Sequence, residues 1–305
     1  MTNSALFVGS KIFGLNVLKL LYETTPQHFS DIVSLDDRDD SRSAFDGFSN
    51  FAREMSLDLH LDPTPEHLRS LIERVKPDVM FFCGWYRLIP QTILDFLPLG
   101  ALGIHHSLLP KYRGGAPLVW AMINGEDEVG SSIFRFTSGM DSGDTLLQVR
   151  TSVQVEDSIN SVSSRLEAEL LAALPKLWID YVNGRAKSTP QDHAAASYCS
   201  QRKPDDGLID WTLPAAKLHD FIRAQSFPYP GAFTIFKGTR LVIQSASLFE
   251  WPCSGVPGQV VLIHDGNVVV ACGEQSALRL LKVDFDDQHL PAVSVLNRIG
   301  IRLPS

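Results

Sequence analysis

Two residues and the turns around them are the clearest candidates for chemistry in this chain. His105 lies in the stretch GIHHSLLPKYRGGAP from Gly103 to Pro117, and Asp141 lies in the turn GMDSGD from Gly139 to Asp144. An imidazole is the side chain best suited to moving protons near neutral pH, and a carboxylate beside it selects its tautomer and favours its charged form. About thirty-six positions separate the two, roughly one strand–helix–strand unit, which can return the chain to the same edge of a parallel sheet. Blander roles exist for each. A lone His at a strand end is commonly satisfied by backbone groups, and Asp beside Gly is a common turn former, a job that Asp144 could do instead. The flanking turns favour the proton-transfer pair. His106 alternates to the opposite side of an extended segment, so it reads as structural or as a group behind the site. Ser107 and the Leu108-Leu109-Pro110 turn are expected to shape the pocket floor.

These side chains need a frame. Ala5–Val8 is a short apolar run ending in Gly9-Ser10, and a helical pattern follows from Phe13 to Tyr22. Strands are expected at Ile32–Leu35, Asp58–Leu61, Val79–Cys83, Leu99–His105 and Ser132–Phe136, with helices at Phe48–Met55 and Pro65–Val75, the latter capped by Thr64. Val79–Cys83 is apolar throughout, as suits a strand covered on both faces. Alternation of this kind predicts an α/β fold with an open, mostly parallel, Rossmann-like sheet, whose ligands bind beyond the carboxyl ends of the strands. Gly84, His105 and Asp141 all fall there. A long amphipathic helix is expected over Ser158–Val182, with Leu166, Leu170, Leu171, Leu174 and Leu177 on its apolar face. The polar segment from Asn183 reads as a linker. Beyond it a helix at Pro214–Arg223 precedes short apolar runs at Ala232–Phe236, Leu241–Ser245, Gly258–His264, Val268–Ala271 and Ala277–Val283, the pattern of a small β-barrel. The expected division is a catalytic domain at 1–188, a linker at 189–204 and a smaller domain at 205–305.

At 305 residues, 44% hydrophobic and 20% charged, the composition is that of a soluble globular chain with room for two domains. No apolar run reaches the roughly 20 residues that span a bilayer. The opening MTNSALFVGSKIFG reads as a first strand, so no membrane partner and a cytoplasmic location are expected. The cysteines at 83, 199, 253 and 272 show no metal-ligand spacing, so no metal is expected. Gly9 followed by Gly14 is no dinucleotide fingerprint. Net charge is −8 and no Lys/Arg run occurs, which shifts weight from a nucleic-acid partner towards a small substrate.

HxSLLPxYRGxAP followed by GxDxGD resembles the folate-dependent formyltransferases. The resemblance extends to ALFVGSKIFG from Ala5, CGWYRLIP from Cys83, RKPDDGLIDW from Arg202 and IRAQSFPYPGAF from Ile222. It implies formyltetrahydrofolate as formyl donor, His105 and Asp141 as catalytic groups and a C-terminal barrel of OB-like shape. It places the folate along Gly84, Tyr86, Arg87, Leu88 and Ile89, along Ser107 and Leu109, and along the loop with Phe136, Ser138, Gly139 and Asp141. Members usually carry Asn two residues before the catalytic His, where this chain has Gly103. The implied loss is a donor to the formyl oxygen, which is worth about 3 kcal/mol in the transition state. Gly103 leaves open substitution by water or His106, slower transfer, hydrolysis or loss of activity.

The C-terminal motifs are most similar to enzymes that formylate the primary amine of nucleotide-linked amino sugars. Arg202 and Arg223 are then expected to hold a diphosphate, and Ser10, Lys11 and Tyr229 to face the acceptor. Release of formate by hydrolysis and formylation of methionyl-tRNA are the alternatives, together with a binding module without turnover. Pairing of barrels into a homodimer is a further possibility.

Overall fold

The computed structural model describes residues 3–40, 42–85 and 89–304, and its compact units are not continuous in sequence. One unit comprises Met1–Gly114, Gly130–Arg150 and Arg165–Tyr198, and the other comprises Gly115–Val129, Thr151–Ser164 and Cys199–Ser305. The second unit thus takes in two segments, 115–129 and 151–164, from within the stretch 1–188.

The chain opens with strand β1 (Ala5–Gly9), helix α1 (Lys11–Thr24), β2 (Phe29–Ser34), α2 (Phe45–Met55), β3 (Asp58–Leu61), α3 (Pro65–Val75) and β4 (Val79–Cys83). It continues with α4 (Gln91–Leu94), β5 (Gly100–His105), β6 (Arg113–Gly114), α5 (Pro117–Ile123), β7 (Glu128–Arg135), β8 (Thr145–Ser152) and α6 (Ile159–Val182). Among the described residues the sheet runs β3-β2-β1-β4-β5-β7-β8. The first five of these strands are parallel, and β7 runs antiparallel to β5 with Gly103 opposite Phe134 and His105 opposite Ser132. Strand order reverses beside β1 and β4, and their carboxyl ends form the edge where such sheets bind ligands.

Local chemistry explains the elements. In α3, Pro65 occupies the first turn, where its missing N–H costs nothing, and Thr64 accepts from the His67 backbone N–H at 3.3 Å. Lys76 ends the helix in the left-handed region at φ 51°. Every residue of β1 and β4 is buried, as two covered faces require. On one face Leu170, Leu174 and Trp178 of α6 join Phe7, Phe81, Leu102 and Ile133 in the core, and Trp178 Nε1 donates to Thr25 Oγ1 at 2.7 Å. On the other face Leu68 and Ile72 of α3 and Leu94 of α4 join Val8, Met80, Phe82 and Ala101.

In the second unit, after β9 (Tyr198–Cys199), α7 (Ala215–Arg223) is followed by β10 (Ala232–Phe236), β11 (Thr239–Leu248), β12 (Val260–His264), β13 (Asn267–Ala271), β14 (Ala277–Phe285), β15 (Gln288–Pro291) and α8 (Ala292–Val295). These strands form a separate antiparallel sheet in the order β10-β11-β14-β13-β12, with β15 on β14. Trp211, Leu218, Ile222, Leu241, Val268, Leu278 and Leu280 are buried in its core.

Candidate active site

The three residues Tyr112, Arg113 and Gly114 hold both members of the expected pair. His105 is the last residue of β5 and is 8% exposed. Its Nε2 lies 2.7 Å from the Tyr112 carbonyl. A carbonyl only accepts, so Nε2 carries the hydrogen and Nδ1 is the free nitrogen of the neutral ring. Nδ1 faces Asp141 Oδ2 at 3.7 Å. That same oxygen accepts the Gly114 backbone N–H at 2.8 Å. The sheet and the loop turns therefore bring His105 and Asp141 together, just outside direct hydrogen-bond length. A proton taken up on Nδ1 has a carboxylate beside it, and both ring nitrogens then have an acceptor. Such a group can collect a proton from a reacting amine and return it to a leaving nitrogen.

Two turns with unusual backbone set this geometry. Tyr112 has φ 57° and Asp141 φ 46°, both in the left-handed region that costs an L residue about 1–2 kcal/mol. Tertiary bonds hold them. Ser107 Oγ donates to the Lys111 carbonyl at 2.7 Å, and Ser132 Oγ donates to the Ser107 carbonyl at 2.6 Å. Leu109 is buried below, its N–H donating to Ser132 Oγ at 3.3 Å. One ring nitrogen of His106 is already engaged by the protein. Its Nδ1 is engaged with Ser131 Oγ at 2.8 Å and its ring packs against Phe13. Burial, and then the neighbouring His105, push its pKa down to about 4, so it is neutral near pH 7.

The Gly103 position is occupied by a ring. A Cβ built there would lie 2.1 Å from Cε1 of Phe136, so any side chain collides with that ring. Phe136 stacks on Phe82 with centroids 4.8 Å apart and packs against Phe134 at 5.2 Å, and Phe134 meets His105 edge-on at 6.3 Å. The packing beside His105 is therefore aromatic, with Phe82 and Phe134 buried and Phe136 partly exposed. Nothing in the sequence pairs Gly103 with Phe136, since their contact is made across strands.

The remaining residues singled out above take varied places. Gly84 has φ 70° and closely backs Ser10, whose Oγ donates to the Gly84 carbonyl at 2.6 Å. Ser10 is thus buried and turned to the strand ends, with its N–H on the Cys83 carbonyl at 3.1 Å. Tyr86, Arg87 and Leu88 lie outside the described residues, and Ile89 packs partly buried against the α3 face. Ser138 and Gly139 are exposed in the turn before Asp141. Lys11 is paired with Asp37 at 2.5 Å and Asp40 at 2.8 Å.

Within the second unit, Arg202 lies over the Trp120 ring at 4.8 Å and donates to the Asp206 carbonyl at 2.6 Å and Gln225 Oε1 at 3.0 Å. Arg223 is paired with Asp220 at 2.8 Å and donates to the carbonyls of Gln154 and Asp157. Both guanidinium groups are engaged by protein acceptors, which is what half-buried cations require. Tyr229 is half-buried, its N–H on the Ser226 carbonyl at 3.0 Å.

A residue from the linker also reaches the site. Gln191 is 7% exposed, and its Nε2 donates to the Asp141 carbonyl at 2.9 Å and the Gly143 carbonyl at 2.6 Å. The only local hint is an amide between Pro190 and Asp192 in an otherwise small and polar stretch.

Comparison with known proteins gives a consistent result. Residues 43–177 match the family described as formyl transferase, and residues 202–299 match its C-terminal domain. The chain is 35% identical over 206 residues to methionyl-tRNA formyltransferase of Syntrophus aciditrophicus, covering 67% of this chain and 65% of that one. It is 33% identical over 275 residues to the enzyme of that name from Koribacter versatilis, covering 87% and 86%. Among solved structures it resembles WlaRD, a sugar 3N-formyl transferase in the presence of dTDP and 5-N-formyl-THF. The TM-score is 0.67 at 16% identity, over 92% of this chain and 97% of that one. It also resembles HypX from Aquifex aeolicus in complex with tetrahydrofolic acid, with a TM-score of 0.64 at 19% identity. That match covers 97% of this chain but only 47% of HypX. At such identities the structural matches speak for the fold.

Proposed function

We propose, since this chain belongs to the formyl transferase family, that it carries a formyl group from formyltetrahydrofolate to the primary amine of a nucleotide-linked amino sugar. The observation that carries the reading is the His105–Asp141 pair, with Nε2 fixed on the Tyr112 carbonyl and Nδ1 facing Oδ2 at 3.7 Å. The folate, when bound, supplies the one-carbon unit. Phe136 is the partly exposed ring of the aromatic cluster beside His105, and the turn with Ser107 and Leu109 follows the carboxyl end of β5.

His105 takes the proton that the attacking amine must lose, and Asp141 stabilises the charge this places on the imidazole. Asp141 keeps that role because its Oδ2 is also held by the Gly114 N–H. The chain offers no side chain at position 103 to the formyl oxygen, so that oxygen is left to backbone groups and water.

The sugar acceptor is supported by the net charge of −8 and by the absence of any Lys/Arg run. Methionyl-tRNA is the second reading, favoured by the names of the relatives at 33–35% identity. Labelled formyltetrahydrofolate offered separately to dTDP-linked amino sugars and to methionyl-tRNA tests both. Label on a sugar nucleotide supports the first, and label on the tRNA replaces it with the second. Formate released equally with and without amine makes the protein a hydrolase.

A further inference from the structure

We propose that Gln191 is a positioning residue for the His105–Asp141 pair, tying the turn that carries Asp141 to the segment that holds His105. The inference rests on the proposed formyl-transfer reading and deepens it. Gln191 uses both ends of its amide. Oε1 accepts from Arg113 Nε at 3.2 Å and Nη2 at 2.7 Å, and Nε2 donates to the Asp141 and Gly143 carbonyls. The orientation is chemically unambiguous, because a guanidinium only donates and a carbonyl only accepts. Arg113 itself is 2% exposed and is further engaged by His193 Nδ1 at 3.1 Å and the Tyr198 hydroxyl at 3.2 Å.

The neighbours of Arg113 make the connection matter. Tyr112 supplies the carbonyl that orients His105, Gly114 supplies the N–H that holds Asp141, and the Arg113 side chain between them reaches the Asp141 turn through Gln191. That turn is short, glycine-flanked, and has Asp141 at φ 46°. Without the amide, two of its carbonyls lose their donor and the left-handed residue loses a restraint. A carboxylate displaced by about 1 Å is expected to cost catalysis as much as 100-fold.

The test uses Gln191→Met, which keeps the volume and loses all four hydrogen bonds. Turnover, KM for the amine acceptor and the thermal midpoint are measured, alone and with Asp141→Asn. A 10- to 100-fold fall in kcat, with KM changed less than about twofold, is expected. In the Asp141→Asn background, followed by single-turnover accumulation of labelled product, Gln191→Met should lower the rate by less than about threefold, because the group it positions is gone. An equal loss in both backgrounds, or an unchanged kcat in the single variant, overturns the proposal and leaves Gln191 a structural residue. Should Gln191→Met fail to fold, Gln191→Glu keeps the acceptor for Arg113 while removing the donors to the turn, and the same cycle applies. A crystal structure of the variant reads the positioning apart from activity. A widened Nδ1–Oδ2 separation supports the inference even for a wild-type protein that transfers no formyl group, and an unchanged separation refutes it.

Discussion

The same sheet carries two histidine–carboxylate pairs, one in its β2–β3 region and one at a carboxyl edge. In the first, Asp31 of β2 accepts His60 Nε2 at 2.8 Å, Arg74 Nη2 at 2.9 Å and Ser30 Oγ at 2.7 Å. Burial alone would raise the Asp31 carboxyl, yet the bonds from His60, Ser30 and Arg74 hold it below the usual carboxylate range. In the second, Asp141 accepts one backbone N–H, and His105 Nδ1 stands 3.7 Å away. The first carboxylate is held by three side-chain donors, a charged guanidinium among them. The second pair keeps a nitrogen and part of a carboxylate uncommitted. A His beside an Asp becomes a catalytic candidate through what its hydrogen bonds leave over, more than through its proximity.

The contrast is broken most forcefully by exchanging carboxylates for amides. Asp141→Asn should lower formyl transfer by about 100- to 10,000-fold, with the fold intact by circular dichroism. Asp31→Asn should do the reverse. It is expected to cost about 1.5–3 kcal/mol of unfolding free energy in denaturant titration and to leave turnover per folded molecule unchanged. The stability contributed by Asp31 is present above the unfolded carboxylate value and fades as pH falls below it, so the difference between wild type and variant should shrink in acid.

Gly103 sharpens the comparison at the open pair. Gly103→Asn alone must displace the Phe136 ring and is expected to cost about 1–3 kcal/mol. Phe136→Ala in the same molecule removes the collision, so the double variant should be more stable than the sum of its parts. Additive losses would show that the ring is not what excludes a side chain from position 103.

The smallest effect concerns His106, whose value near 4 lies below that of an unfolded histidine at 6.5. Between those values the unfolded chain binds more protons, so the contribution of His106 is complete above about pH 6.5 and is lost progressively as pH falls towards 4. The thermal midpoint of wild type should therefore drop more steeply from pH 7 to pH 5 than that of His106→Asn. His28 and His219, lowered first by burial, act with the same sign and are common to both proteins.

Elements set by local chemistry were legible in advance. Thr64 and Pro65 mark the start of α3, and the continuous apolar run Val79–Cys83 coincides with β4. His105 and Asp141 were legible because distinctive turns flank them. Less legible was anything made by distant pairing. Strand β8, Thr145–Ser152, has a half-buried mixed pattern that fits neither strand nor helix periodicity cleanly. Helix α5 begins after Ala116 at φ 50°, a conformation that no residue type there advertises. The diphosphate role expected of Arg202 and Arg223 comes with the resemblance of the C-terminal motifs, and the protein acceptors that also meet each guanidinium, Gln225 and Gln154, lie too far along the chain to be read from its sequence. Gln191 read as linker because its partners lie about fifty residues away in sequence.

The central claim is that the Tyr112 carbonyl fixes the His105 proton on Nε2 and leaves Nδ1 to work against Asp141. Imidazole 15N NMR at pH 8.5, assigned with His105→Asn, reads this directly. The account predicts for the neutral ring a protonated Nε2 and a bare Nδ1. A ring protonated on Nδ1 with Nε2 bare would contradict it.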